Sequence, residues 1–314
     1  MRVAAPSMVE LAEEYLELRR RLGFALVGPG KQLLHFARYA DEIGHRGPIT
    51  TELAVRWARL PEDTKPSWWA RRLGFVRGFA QYRHLFDPET EVPEAGLLGP
   101  CPGRRAPHIY SEAEIAALLR AAADLGPKGG LRPHSYVTLF GLLIATGVRI
   151  SEALHLDRQD VDLERGVLIV RLTKFRKSRL VPLHPSAIEA LADYARRRDE
   201  QHPHPRADTF FLDHKGGPLG ASAVGHTFVE LRRTLGWVTD EGRPPRVHDM
   251  RHTMVVRTLL SWYRQGFDVD RKLPALSTYL GHVEVRDTYW YLTAVPELMA
   301  LVAERFQACQ GRTS

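Results

Sequence analysis

The stretch "YVTLFGLLIATGVRISEALHL", residues 136–156, joins a long apolar run to a short charged segment. The run, residues 136–148, is 13 residues long, whereas a helix needs about 20 apolar residues to cross a bilayer. We therefore expect a helix that is buried in a protein core. Arg149 follows this helix, and Glu152 comes one turn later, within reach of the guanidinium. A structural ion pair and an anion-binding site both fit this arrangement.

The composition is that of an ordinary globular protein with a polyanionic partner. The chain has 314 residues, which favours two domains, and it is 44% hydrophobic and 26% charged. A net charge of +7 indicates a polyanion as partner, and nucleic acid is the commonest one. Cys101 and Cys309 lie far apart, which argues against a disulfide framework and favours the reducing cytoplasm. The acidic N-terminal stretch is unlike a signal peptide, and we expect no membrane partner.

Helical periodicity and a break in it divide the chain. Residues 1–86 carry four helical patterns, and residues 87–108, rich in Pro and Gly, read as a linker. Residues 109–314 form a second domain that starts with a predicted capping box, Ser111 with Glu114. The predicted fold class is mainly α with a small antiparallel β-sheet.

A basic turn connects the two β-rich runs of the second domain. The runs span residues 167–172 and 179–183 and predict a hairpin whose tip carries Lys174, Arg176 and Lys177. A lysine on such a turn could contact a phosphate or act as a general acid, and it could equally be a solvated surface charge.

Two further motifs carry histidine. In "HDMRHT", residues 248–253, His248 and Arg251 are three residues apart and share one helix face. An imidazole beside a fixed guanidinium suits an anionic centre that exchanges protons. We expect His252 to point elsewhere and to be a packing residue. His282 ends the motif "LGH", where a lone histidine is commonly a helix cap.

Together these segments supply arginines, lysines, histidines and tyrosines, without a carboxylate cluster for a metal. Two arginines can hold a phosphate by its non-bridging oxygens and stabilise a pentacoordinate transition state. A tyrosine hydroxyl could attack the phosphorus. The candidates are Tyr289 and Tyr291, which point in directions that differ by about 200° on a helix. The set predicts metal-independent phosphoryl transfer on a nucleic-acid backbone.

The motifs resemble those of a known family. "ATGVRISEALHL", "TKFRKSRLVPL", "HDMRHT", "YLGH" and "DTYWYL" follow the order and approximate spacing of the tyrosine recombinases, the phage integrase family. The resemblance covers the whole second domain. More loosely, the N-terminal helical region is similar to the family's core-binding domain, and "TYWYLTAVPEL" resembles integrases of mobile elements.

The resemblance implies a role for individual residues. Arg149 and Arg251 are similar to the two catalytic arginines, and Glu152 to the acidic residue that supports the first of them. His248 is similar to the histidine of the His-x-x-Arg motif, and His282 to the later histidine or tryptophan that contacts the scissile phosphate.

The lysine and the tyrosine are chosen by the family's spacing. The catalytic lysine comes five residues before the arginine that precedes "LVPL", which selects Lys174 over Lys177, although Phe175 stands where the family usually has glycine. The nucleophile comes nine residues after the histidine of "LGH", which selects Tyr291. Tyr289 and Trp290 then become packing residues.

The mechanism that the resemblance implies needs no metal, ATP or other cofactor. The tyrosine forms a 3′-phosphotyrosyl link with double-stranded DNA, and a partner strand reverses the attack. The resemblance also implies a tetramer on DNA in which residues 296–307 dock on a neighbouring protomer, with other recombinases as possible partners.

Candidate phosphate contacts are Arg71, Arg72, Arg77, Arg83, Arg104, Arg105, Arg176 and Lys177. Type IB topoisomerase-like nicking and resealing, and a catalytically silent DNA-binding accessory protein, are the alternatives.

Overall fold

The computed structural model describes residues 6–100, 106–171, 178–237, 244–281, 284 and 286–293. The chain divides into two compact units, Met1–Arg105 and Ala106–Ser314. This division falls inside the stretch 87–108 that the sequence predicts as a linker. No helix in the described ranges is long and apolar enough to cross a membrane.

Within residues 6–100, the first unit contains four helices, as its sequence pattern predicts. They are α1 (Met8–Arg21), α2 (Val27–Glu42), α3 (Thr51–Arg59) and α4 (Pro66–His84). Their apolar faces meet in a core that includes Leu16, Phe36, Trp57 and Phe79. Helix α4 begins at Pro66, because proline fixes a helical φ at the first position and needs no hydrogen-bond acceptor there.

The first part of the predicted linker is folded onto the first unit. The backbone N–H of Glu91 donates to the carbonyl of Ile49 at 2.8 Å, and the Glu91 carboxylate accepts from the backbone N–H of Thr51 at 2.7 Å. The carbonyl of Thr90 lies 2.7 Å from Nδ1 of His84. These contacts stabilise the start of α3 and the end of α4.

The second unit confirms the predicted fold class, since it is mainly helical with one small sheet. Its helices are α5 (Glu112–Ala123), α6 (Leu131–Thr146), α7 (Ile150–Leu154), α8 (Pro185–Gln201), α9 (Ala221–Thr234), α10 (Asp249–Arg264), α11 (Val269–Leu280) and α12 (Arg286–Thr293). Strands β1 (Val161–Asp162), β2 (Val167–Val170) and β3 (Arg179–Pro182) form an antiparallel sheet in that order. The predicted capping box, Ser111 with Glu114, begins α5.

Helix α6 is the buried helix that the apolar run predicts. Leu139 and Phe140 on it are fully buried. It ends at Gly147, which adopts a left-handed conformation with φ of +63°, and a Cβ added there would lie 2.8 Å from Cε of Met254 on α10. Glycine therefore both ends α6 and lets α10 approach closely. Arg149 follows at the edge of this contact.

Near the C-terminus, one helix begins earlier than expected, and a second predicted helix lies outside the described residues. The sequence suggests a helix that begins at Pro274, whereas α11 begins at Val269 and contains Pro274. The reason is a side-chain cap, because Asp268 accepts a hydrogen bond from the backbone N–H of Arg271. The predicted helix at residues 296–307 lies outside the described residues and stays a prediction.

Candidate active site

Glu152 connects two arginines at the start of α7. Its buried carboxylate accepts from the backbone N–H of Arg149 at 2.9 Å and from Nη1 of Arg149 at 2.8 Å. It also accepts two bonds from Arg179 on β3, from Nη1 at 3.1 Å and Nη2 at 2.8 Å. Burial by itself raises the pKa of this carboxyl, but the hydrogen bonds from Arg179 and Arg149 outweigh burial and lower the pKa to about 2. Glu152 is therefore a permanent anion at neutral pH.

Arg251 on α10 brings a second guanidinium beside Arg149. Arg251 is 2% exposed, and it donates from Nη1 to the carbonyl of Gly147 at 2.6 Å and from Nη2 to the carbonyl of Leu280 at 2.8 Å. Burial, and then the positive charge of Arg149, lowers the pKa of Arg251 to about 10. Arg251 stays protonated at neutral pH, so the site holds two guanidinium groups whose mutual repulsion an anion between them would relieve.

The C-terminal end of α11 gathers three arginines. The carbonyl of Tyr279 accepts from Nε of Arg179 at 2.8 Å, and the next carbonyl, that of Leu280, accepts from Arg251. The carbonyl of Gly281 accepts from Nη2 of Arg149 at 3.3 Å. The last carbonyls of a helix lack intrahelical donors and carry partial negative charge, which suits guanidinium groups.

Only one of the two candidate tyrosines on α12 faces this group. Tyr291 is 4% exposed, and its phenol shares a side-chain hydrogen bond with Arg251. Tyr289 is 44% exposed, so the expectation that it packs against the protein is wrong. Side chains two positions apart on a helix point in directions that differ by about 200°. This explains why Tyr289 is exposed and Tyr291 is buried. The side chain of Trp290 lies outside what the structure describes.

The ring of His252 lies between those of His248 and Tyr291. The ring of His252 is 5.2 Å from that of Tyr291 and 4.9 Å from that of His248, measured between centroids. His248 keeps an exposed edge, and burial of its ring followed by the charge of Arg251 lowers its pKa. Burial, and then His248, lowers the pKa of His252 to about 4. Both imidazoles are therefore neutral at pH 7.

The position of His252 corrects the sequence-based expectation. His252 is buried, as expected of a packing residue, but its ring lies on the side of His248 and Tyr291 rather than away from them. Residues four apart are neighbours on a helix, so the spacing of the two histidines could have indicated this arrangement. Arg179 was also missed, because no local pattern connects it to Glu152.

Part of the predicted site lies outside the described residues. This applies to His282 and to every predicted basic residue of the linker and the hairpin tip, namely Lys174, Arg104, Arg105, Arg176 and Lys177. Their roles stay predictions. The structure does describe the residues that flank them: β2 and β3 lead to the hairpin tip, and Gly281 directly precedes His282.

The four predicted arginines of α4 have different environments. Arg71 is exposed, Arg83 is half-buried, and Arg77 donates to the carbonyl of Pro93 at 2.9 Å. Arg72 is only 5% exposed, and its guanidinium lies 3.8 Å from the ring centroid of Trp57 and donates to the Trp57 carbonyl. The prediction of a phosphate contact is therefore wrong for Arg72, which lies on the buried face of the helix.

Comparisons with known proteins identify the family of the chain. Residues 110–297, more than half of the chain, match the model of the phage integrase family. A putative integrase/recombinase, y4rB of Sinorhizobium fredii, is 44% identical over 95% of this chain and 96% of its own length. The tyrosine recombinase XerD of Bradyrhizobium diazoefficiens is 28% identical over 87% of each chain.

A solved structure shares the fold. The Tn1549 transposon integrase in complex with transposon right-end DNA superposes with a TM-score of 0.65 at 18% identity, over 91% of this chain and 94% of that one. The sequence matches extend over both units. The chain therefore belongs to the phage integrase family and is a tyrosine-type site-specific DNA recombinase.

Proposed function

We propose that Tyr291 cuts DNA at a phosphate held by Arg149 and Arg251. The observation that carries this proposal is the buried phenol of Tyr291, which is hydrogen-bonded to Arg251 while Arg149 stands beside the same guanidinium. The phenolic oxygen would bond to phosphorus as the bond from phosphorus to the 5′ oxygen breaks. The product is a 3′-phosphotyrosyl link and a free 5′-hydroxyl. The two guanidiniums stabilise the charge that builds up on the non-bridging oxygens.

Two proton transfers accompany this step. The resemblance implies that His248, whose pKa is lowered by burial and by Arg251, assists removal of the phenolic proton. Lys174 donates a proton to the leaving 5′ oxygen, the role that the resemblance implies. Attack by the 5′-hydroxyl of a partner strand reverses the step. The covalent link conserves the energy of the phosphodiester, so joining requires no ATP.

Covalent capture on a nicked suicide duplex tests the nucleophile. The duplex is obtained by selecting, from a random library, DNA to which the wild-type protein becomes covalently attached. We expect Tyr291→Phe to abolish the adduct and Tyr289→Phe to retain it, because Tyr289 is exposed on the same helix. An adduct that survives in Tyr291→Phe, or a wild-type protein that captures no DNA, would contradict the proposal.

The family match favours recombination over the two alternatives drawn from the sequence. A type IB topoisomerase-like enzyme would reseal the strand that it cut, whereas a recombinase joins it to another duplex. A silent accessory protein would form no adduct at all. Supplying a second labelled duplex that has no nick separates the three. This duplex offers no 5′-hydroxyl until it is cut, so a joint that carries the label requires cutting and exchange of both duplexes, as a recombinase performs.

The wider setting follows from the relatives. We infer that the chain acts in the cytoplasm on double-stranded DNA as part of a mobile element, because its relatives include a putative integrase/recombinase and a transposon integrase. A homotetramer on DNA, with residues 296–307 docked between protomers, is the assembly that we expect. Gel-shift stoichiometry on the selected duplex, compared with a chain truncated after Val295, would test that assembly.

A further inference from the structure

Arg179 uses all three nitrogens of its guanidinium inside the protein. Its side chain is 10% exposed. Nη1 and Nη2 form a two-pronged contact with the two oxygens of Glu152, and Nε donates to the carbonyl of Tyr279 at 2.8 Å. Such bidentate, charge-assisted contacts fix direction as well as distance. Arg179 therefore ties β3 both to α7 and to the end of α11.

Arg149 completes a closed ring of contacts with the same partners. It binds the other side of Glu152 through its backbone N–H and Nη1, and it reaches the carbonyl of Gly281 through Nη2. Gly281 is two residues beyond Tyr279, so the ring runs from Arg179 through Glu152 and Arg149 to Gly281 and back along the chain. The guanidinium of Arg149 is thus held at two points, and Arg179 contacts both: it bonds to Glu152 and packs against Gly281.

The end of α11 is shaped to accept the Arg179 side chain. Gly281 has a left-handed φ of +68°, and a Cβ added there would lie 2.7 Å from Nη1 and 3.0 Å from Cζ of Arg179. A residue with a side chain would both be strained and push this guanidinium away. The glycine that precedes His282 is therefore also the surface against which Arg179 packs.

Stability alone is a weak reason for a buried arginine at this place. Removing a guanidinium from water is costly, and an apolar residue of similar size commonly stabilises a protein as well as or better than a buried ion pair. What the ion pair adds here is a fixed direction for Glu152 and, through it, for Arg149.

We propose that Arg179 is a positioning residue for DNA cleavage, which acts by holding Glu152 and thereby the guanidinium of Arg149. It does not itself touch the phosphate. This inference rests on the proposed function, because it assigns Arg149 to the scissile phosphate.

The first experiment compares two buried arginines. Arg179→Lys keeps the charge and removes the two-pronged contact. Arg198→Lys is the matched control, since Arg198 is also buried, pairs with Asp199 and donates to the carbonyls of Thr209 and Phe210.

Single-turnover cleavage of the selected suicide duplex is measured at saturating protein, well below the melting temperature of each variant. We expect Arg179→Lys to slow cleavage by about 10-fold or more with DNA affinity nearly unchanged, because displacement of a positioned group by about 1 Å can cost about 100-fold. The control should cleave like wild type.

A double-mutant cycle then asks whether Arg179 acts through Arg149. If it does, the Arg149→Lys, Arg179→Lys double variant should cleave no more slowly than Arg149→Lys alone. Losses that multiply would show independent roles and overturn the proposal. Wild-type cleavage by Arg179→Lys would also overturn it, as would loss of the fold in both Arg179→Lys and Arg179→Gln, which would make Arg179 a stability residue. Failure of the wild-type protein to capture DNA would instead contradict the proposed function.

Discussion

At the scale of single residues, the site is governed by the cost of burying charge. Glu152 and Arg251 are both nearly removed from solvent, and burial disfavours the charged form of each. The carboxyl of Glu152 nevertheless has a lowered pKa because two arginines donate to it. The guanidinium of Arg251 has a lowered pKa because Arg149 adds its positive charge to the effect of burial. The site is thus arranged to favour one more anion, such as a phosphodiester.

The lowered pKa of Glu152 predicts a specific dependence of stability on pH. Its pKa is about 2 in the folded protein against an ordinary value of 4.5, so the unfolded chain binds more protons between these values. The stability from this group is complete above about pH 4.5 and is lost as the pH falls towards 2. In Glu152→Gln, the free energy of unfolding should therefore decrease less on acidification than in wild type.

Urea unfolding followed by circular dichroism, repeated from pH 6 down to the lowest pH at which the protein stays folded, measures this dependence. Glu164→Gln is the control, because Glu164 is exposed and has no place in the arginine network. Identical acid slopes for Glu152→Gln and wild type would show that Glu152 is not held by these hydrogen bonds.

At the scale of elements, the contact between α6 and α10 places the two arginines side by side. Gly147 ends α6, and its carbonyl accepts from Nη1 of Arg251 on α10. The same glycine leaves room for Met254, which lies one turn further along α10. A single residue therefore sets both the packing of the two helices and one anchor of the Arg251 guanidinium.

Substitution of two glycines of this segment should have opposite effects on stability. Gly147→Ala should destabilise the protein by about 1–3 kcal/mol, because alanine is strained at φ of +63° and its Cβ would contact Met254 at 2.8 Å. Gly141→Ala is the control within α6, where an added Cβ meets nothing within 4 Å, and it should stabilise by about 0.5–1 kcal/mol. Thermal unfolding measures both, and equal melting temperatures would contradict the role given to Gly147.

At the scale of the whole molecule, the net charge of +7 predicts a strong electrostatic part in DNA binding. The contribution of each arginine depends on its burial rather than on its charge alone. Arg71 is exposed and Arg72, its neighbour in sequence, is a core residue that stacks on Trp57. Only the first of the two is able to release a counterion when DNA binds.

This difference can be measured as the salt dependence of DNA affinity. Arg71→Ala should weaken binding at low salt and reduce the slope of log affinity against log salt by about 1. Arg72→Ala should leave that slope unchanged and lower the melting temperature, because it removes the cation–π contact and the bond to the Trp57 carbonyl. A reduced slope in Arg72→Ala would show that this arginine does reach a phosphate.

Local patterns in the sequence predicted most of the described helices, the capping box of α5, the buried α6 and the two strands β2 and β3, because periodicity and capping act between residues a few positions apart. The resemblance to the family also singled out Arg149, His248, Arg251 and Tyr291, which the structure brings close together. Only the tertiary structure decided that Arg179 holds Glu152 from 27 positions away and that Arg149 reaches a carbonyl 132 positions away. It alone showed that Arg72 is buried and that His252 lies against Tyr291. A buried charge takes whichever partner the packing of distant elements brings within hydrogen-bond distance, and no local pattern in the sequence encodes that choice.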